Sequence, residues 1–219
     1  MTNFLIQEIA HHKRLDVAAV DLHEIPWSNP VVLHDDKSCK NCKQRHPRIW
    51  ASCNKENLIL SSELDLTILD YELIVEDYYK GKDKPKHCDY VIEGEKADGN
   101  KKIALCDLTC QMEKYVNNPS ESKHYPTGKR EYAWTQMEET TQRWQARADY
   151  SSMISQYTEK VFIFGWRDPD VKVIRGDKGS KAMNDFANST TSALVKNLSF
   201  GTRGDFELIQ VKYPSMYEW

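Results

Sequence analysis

Two aspartates, Asp89 and Asp107, flank a pair of short apolar runs joined by a polar turn containing Gly99 and Asn100. Within residues 87–110, one acid opens the run Tyr90-Val91-Ile92, and the other lies near the end of Ile103-Ala104-Leu105-Cys106-Asp107-Leu108-Thr109. Apolar runs around a Gly-containing loop predict a β-hairpin. A period of two puts Ile103, Leu105, Asp107 and Thr109 on one face of the second strand, with Cys106, Leu108 and Cys110 on the other. A carboxylate so far along an apolar strand is costly unless it meets water, a cation or hydrogen-bond donors. Two carboxylates from neighbouring strands can hold Mg²⁺ or Mn²⁺ through oxygen, and the backbone carbonyl of Leu108 can add a third oxygen. A cation held this way lowers the pKa of water and neutralises charge developing on a phosphoryl group.

The spacing resembles the restriction-endonuclease-like nuclease superfamily, also called the PD-(D/E)XK nucleases. Its signature is an aspartate on one strand and Asp/Glu-x-Lys on the next. Asp89 takes the place of the first acid and Asp107 that of the second, while Thr109 stands where the lysine is usual. In active relatives that lysine helps position water and steadies the attacked phosphate, and Thr109 carries no charge with which to do so. Lys102 points to the face opposite Asp107, Lys101 has the compatible parity but lies far down the strand, and Lys114 falls just past it. The resemblance further implies a helix with a Gln-apolar-x-x-Thr element after the catalytic strand, which Gln136-Met137-Glu138-Glu139-Thr140 matches. On this pattern Asp89, Asp107, Gln136 and Thr109 form the catalytic set, and Asp89, Asp107 and Leu108 bind the metal. Gln136 on its own also fits a plain helix-surface glutamine. An additional acid from an N-terminal helix would be Glu8, with Glu72 and Glu76 as rivals.

The function this implies is metal-dependent phosphodiester hydrolysis of nucleic acid, in a setting such as defence or repair. The alternative is a catalytically inactive nuclease-like module that binds nucleic acid, a partner protein or a second copy of itself. Other chemistries have less support. There is no Gly-rich phosphate loop ending in Lys-Ser/Thr and no Gly-x-Ser-x-Gly elbow. Cys88, Cys106 and Cys110 crowd the hairpin, but Cys106 and Cys110 face away from Asp107, as packing residues would.

The elements that must position these groups can be read from the patterning. Residues 4–20 have the spacing of an amphipathic helix carrying Glu8, His11 and His12. Residues 58–80 mix alternation with helical spacing, and some strand is expected before Gly81. Residues 129–148 predict a helix whose inward face is Ala133, Met137, Thr140 or Thr141, and Trp144. Val161–Trp166 predicts a buried strand, Val171–Ile174 another, residues 178–198 a short helix and Phe206–Val211 a final strand. The expected fold is therefore α/β: a restriction-endonuclease-like core, with a mixed central sheet flanked by helices, in one nuclease-like domain over 1–219.

Residues 21–57 form an N-terminal cysteine-containing elaboration, interrupted by Pro26, Pro30 and Pro47. Cys39-Lys40-Asn41-Cys42 can hold Zn²⁺ from a tight turn if His46 and Cys53 complete the set, His34 being a substitute for His46. That would staple 21–57 as a zinc-bound insertion. The same cysteines also suit free thiols packed as small hydrophobes. Lysines 37, 40 and 43 with Arg45 and Arg48 surround this motif, and lysines 80, 82, 84 and 86 precede Asp89; either cluster is a phosphate-contacting patch or a solvated loop.

Composition narrows the setting. With 40% hydrophobic and 29% charged residues the chain is an ordinary globular one, and a formal net charge of -3 argues against indiscriminate nucleic-acid binding through global charge. No apolar run is long enough for a membrane span, and the first ten residues lack the basic start of a secretory signal. A reducing cytoplasmic location, with thiols free or metal-bound, is the expectation.

Overall fold

The computed structural model describes residues 1–34, 56–79, 81, 84–110, 115–116, 127–167, 198–213 and 215–219. It is a mixed α/β fold in three layers. The middle layer is a seven-stranded sheet in the order β1-β4-β5-β6-β7-β9-β8, built from β1 (Glu24–Ile25), β4 (Leu66–Asp70), β5 (Tyr90–Glu95), β6 (Lys101–Cys110), β7 (Glu159–Arg167), β9 (Phe206–Lys212) and β8 (Leu198–Arg203). One face packs under helices α1 (Thr2–Lys13), α2 (Tyr71–Tyr78), α3 (Lys129–Gln145) and α4 (Tyr150–Ile154). The other packs on a three-stranded sheet of β2 (Val31–His34), β3 (Glu56–Ser61) and β10 (Met216–Glu218), ordered β10-β3-β2. Among the described residues no helix is long and apolar enough to cross a membrane.

The hairpin forms as its pattern predicts. β5 and β6 pair antiparallel from Tyr90↔Cys106 to Glu95↔Lys101. Gly99 turns the chain at φ +82, where a side chain would be strained, and its N–H donates to the Lys96 carbonyl at 2.8 Å. The two parities of β6 enter different cores. Ile103 and Leu105 join the helix-side cluster, whereas Ala104, Cys106 and Leu108 join the cluster under the smaller sheet. A strand covered on both faces has to be apolar nearly throughout, so Asp107, only 2% exposed, is conspicuous there.

Of the stretch 58–80, the described residues 58–79 resolve into both competing patterns. The alternating part becomes β3 and β4, and the helical part becomes α2. Asp70 marks the change of period, since its Oδ1 accepts the Leu73 N–H at 3.0 Å and caps the helix. After β6 the chain returns through α3 and α4 to β7, which runs parallel to β6 with Asp107 opposite Phe164. β9 adds parallel to β7. The inward face of α3 is as expected: Ala133, Met137, Thr140, Thr141 and Trp144 are all buried, joined by Trp134.

Strands β1, β2, β8 and β10 have no counterpart in the sequence reading. In the 21–57 stretch, β1 joins the large sheet beside β4, and β2 joins the small sheet beside β3. The zinc set Cys39, Cys42, His46 and Cys53 lies outside the described residues, as do Lys114, the strand expected over Val171–Ile174 and the helix expected over 178–198 except its last residue, Leu198, which opens β8.

Candidate functional site

Strands β6, β7 and β9 are parallel, and the chemistry-bearing residues gather at their C-terminal ends. In open α/β sheets this is the end where ligands bind. Asp107 lies on the helix side of β6, and its Oδ1 is 3.7 Å from the Nζ of Lys129. Both side chains are well covered, at 3% and 12% exposure. Lys129 is the first residue of α3, following Gly128 at φ +86. A cation at a helix N-terminus opposes the macrodipole, at a cost of about 0.3–1 kcal/mol. The Asp107 carboxylate offsets that cost and gives the lysine a fixed direction.

Asp89 stands one residue before β5. Its N–H donates to the Cys106 carbonyl at 2.9 Å, one step off the Tyr90↔Cys106 register. Its Oδ2 accepts the Leu108 N–H at 2.7 Å. The carboxylate thus occupies the edge of β6 just past the start of β5. The N–H and C=O of one strand residue point to the same edge, so the Leu108 carbonyl is directed to the Asp89 side. Both acids bear on the same two thiols. Burial, then Asp89, Cys106 and Asp107, pushes the Cys88 thiol well up, and burial followed by Asp89 and Asp107 does the same to Cys106. Neither cysteine is a ready thiolate, which agrees with the reading of Cys106 as a packing residue.

The segment leading to Asp89 is held by α3. Gln136 Nε2 donates to the His87 carbonyl at 3.1 Å, the Cys88 N–H donates to Thr140 Oγ1 at 3.2 Å, and Lys86 Nζ meets Glu139 Oε1 at 2.9 Å. Gln136 therefore spends its amide on the backbone two residues before Asp89. That makes it a positioning residue in this arrangement. Thr109 is buried at 2% exposure, in register with Trp166 of β7. Lys102 faces the small sheet, as its parity requires, with Nζ 4.8 Å from the Tyr217 ring centroid, 5.0 Å from that of Trp219 and 3.6 Å from Glu159 Oε2.

The other candidate acids have separate fates. Glu8 is buried on α1, where Oε1 lies 3.3 Å from Arg143 Nε and accepts the Tyr79 hydroxyl at 3.2 Å. Arg143 Nη2 also donates to the Tyr71 hydroxyl, which accepts Trp144 Nε1 as well, at 3.2 Å. Glu72 is buried in the first turn of α2, and its N–H donates to the Asp89 carbonyl at 3.0 Å. Glu76 meets Lys84 Nζ at 3.5 Å.

Among the described residues no three His, Cys, Asp or Glu side chains converge as a metal site. The donors at the Asp89–Asp107 end are two carboxylates and the Leu108 carbonyl. All are hard oxygens, the set that suits Mg²⁺ or Mn²⁺ with water completing the shell. Sequence reasoning missed Lys129. Twenty-two positions separate it from Asp107, and only the fold of α3 onto β6 joins them.

The chain matches no protein-family model, and no curated protein or solved structure is significantly similar to it.

Proposed function

We propose that the chain hydrolyses phosphodiester bonds of nucleic acid with Mg²⁺ or Mn²⁺, on a restriction-endonuclease-like core in which Lys129 supplies the cation missing at Thr109. The 3.7 Å approach of Lys129 to the buried Asp107 carries this reading. The element order supports it: α1, the β4-β5-β6 antiparallel run, then α3, then β7 parallel to β6. Asp89, Asp107 and the Leu108 carbonyl would hold the cation. When bound, it supplies a water of lowered pKa and neutralises phosphoryl charge. Lys129 orients the attacking water or steadies the phosphate oxygens, in a site covered enough for its charge to count. Gln136 and Thr140 fix the backbone that presents Asp89.

The test is incubation of the purified chain with labelled single-stranded and duplex DNA and RNA, with Mg²⁺, Mn²⁺ or EDTA. Cleavage is expected with either metal, abolished by EDTA and by Asp89→Asn or Asp107→Asn. Absence of cleavage together with absence of Mn²⁺ binding by calorimetry would overturn the reading. Salt-sensitive nucleic-acid binding without cleavage would support the inactive module instead.

A further inference from the structure

The edge strand β8 carries Phe200, at 40% exposure more open than any other described Phe, Tyr or Trp. Its placement depends on an extra residue. β8 pairs with β9 as Leu198↔Gln210 and Ser199↔Ile209, then as Thr202↔Glu207 and Arg203↔Phe206. Two β8 residues, Phe200 and Gly201, therefore oppose the single Leu208. Gly201 accommodates this bulge at φ +94. Without the bulge, strict alternation would send Phe200 and Arg203 to opposite faces. With it, Phe200 and Arg203 both turn towards α3.

There the rings and guanidinium groups form one layer. Arg130 Cζ lies 4.2 Å from the Phe200 ring centroid and 5.2 Å from that of Trp134, and the two rings are 5.3 Å apart. Arg203 Cζ is 5.9 Å from Trp134, with its charge met by Glu131 and Glu138. Arg130 Nη1 donates to Gln210 Oε1 at 3.1 Å, next to Lys129 in sequence. Asp107, Phe164, Gln210 and Leu198 stand in one row across β6, β7, β9 and β8. Three strand spacings make that row about 14 Å long. A path from Phe200 to Asp107 thus passes Arg130 and then Lys129. Beside it lies Lys212, 4.5 Å over Trp166. β8 itself carries no acid.

We propose that this layer is a stacking platform for an unpaired nucleotide of a single-stranded polynucleotide, with one base against Phe200 and the adjoining phosphates on Arg130 and Lys129. It rests on the reading of the Asp107 end of the sheet as the nucleic-acid side, and it names the substrate class as single-stranded. A duplex keeps its bases stacked on one another and offers no free face to a side-on ring. A single strand does, and cationic grooves lined with aromatic rings are how such strands are held.

The experiment is fluorescence anisotropy of the full chain with a short fluorescein-labelled oligothymidylate and with a duplex of equal length, in EDTA. Single strand is expected to bind more tightly than duplex. Phe200→Leu should weaken single-strand binding about five- to a hundredfold and leave duplex binding unchanged, whereas Phe200→Tyr should retain it. Because Phe200 is exposed, circular dichroism of each variant should match the parent. The proposal is overturned if Phe200→Leu binds the oligothymidylate as the parent does, or if duplex binds as tightly. It is also overturned if Phe200→Arg instead dissolves a concentration-dependent dimer and no strand binds. Without metal the assay is independent of hydrolysis, so single-strand binding here together with no cleavage in Mg²⁺ or Mn²⁺ would sink the nuclease reading alone. Cleavage without single-strand preference would sink the platform alone.

Discussion

Helix α3 brings a cation to a buried acid twice. Near its C-terminal end Arg143 meets Glu8, and at its first residue Lys129 meets Asp107. About 21 Å of helix axis separates the two cations. At Glu8, Arg143 Nε lies 3.3 Å from Oε1, Nη2 donates to Tyr71 and the guanidinium lies 5.6 Å over the Tyr79 ring, while Glu8 Oε2 and Arg143 Nη1 are buried without a hydrogen-bond partner among the described residues. Burial opposes the Arg143 charge, but Tyr71 and Glu8 outweigh it and hold its pKa above the usual arginine value. Burial, followed by the Glu8 charge, pushes both tyrosine hydroxyls up. At Asp107 the Lys129 ammonium stands 3.7 Å from Oδ1, beyond direct hydrogen-bond range, at the C-terminal end of the parallel strands. One carboxylate lies among aromatic rings between α1 and α3, the other at the end of the sheet where open α/β folds present their ligand-binding groups.

The sharpest way to break this contrast is Arg143→Ala. It strands the Glu8 carboxylate in the core and should cost about 3–5 kcal/mol by urea denaturation. A loss below about 1 kcal/mol would show that the Glu8 cluster is not a stability element. Lys129→Met takes the cation from a pair buried more deeply, with side chains 12% and 3% exposed against 24% and 11% at Arg143 and Glu8. We expect cleavage to fall about 10²- to 10³-fold, with a stability loss of about 3–5 kcal/mol by urea denaturation. Cleavage at the parent rate in the folded variant would leave Lys129 a structural lysine. Gln136→Leu removes the donor to the His87 carbonyl and should cost about 1 kcal/mol. Its effect on Mn²⁺ affinity should exceed that of Glu139→Gln, which removes only the exposed partner of Lys86.

The smallest effect is on pH dependence. The Cys88 and Cys106 pKa values are raised in the folded chain, so the unfolded chain loses its thiol protons first as pH climbs. Their contribution to stability is complete below the ordinary thiol value of 9.0 and declines above it. Lys102 works the other way, because burial lowers its pKa from 10.5. Urea unfolding of the parent and Cys106→Ala across pH 8 to about 10 should show a shallower decline in the variant.

Local pattern was enough to find the hairpin, the two-face split of β6 and the inward face of α3, because each follows from a period of 2 or 3.6 within one segment. Asp70 shows where that approach thins: a single capping residue separates β4 from α2, and both periods overlap across it. The β8 bulge was illegible because one extra residue cancels alternation, and β10, with three residues, is too short to show any period. Asp89 and Asp107 announce themselves as acids in apolar company. Lys129 does not, being one more basic residue after a polar stretch. Its meaning comes only from the return of α3 over β6.

The small sheet has a consequence for biosynthesis. β10 pairs with β3 at Met216↔Ile59, two positions 157 residues apart (216 minus 59). β2 and β3 supply Val31, Leu33, Leu58 and Leu60 to the cluster over Ile68, Ile92 and Ala104, whereas β10 adds Tyr217. During translation, therefore, that cover can begin to form from β2 and β3 and gains its last strand only when β10 has been made. A pairing across so many residues closes late and slowly, so the β10 edge of the small sheet should be the last part of this layer to gain protection from hydrogen exchange during refolding.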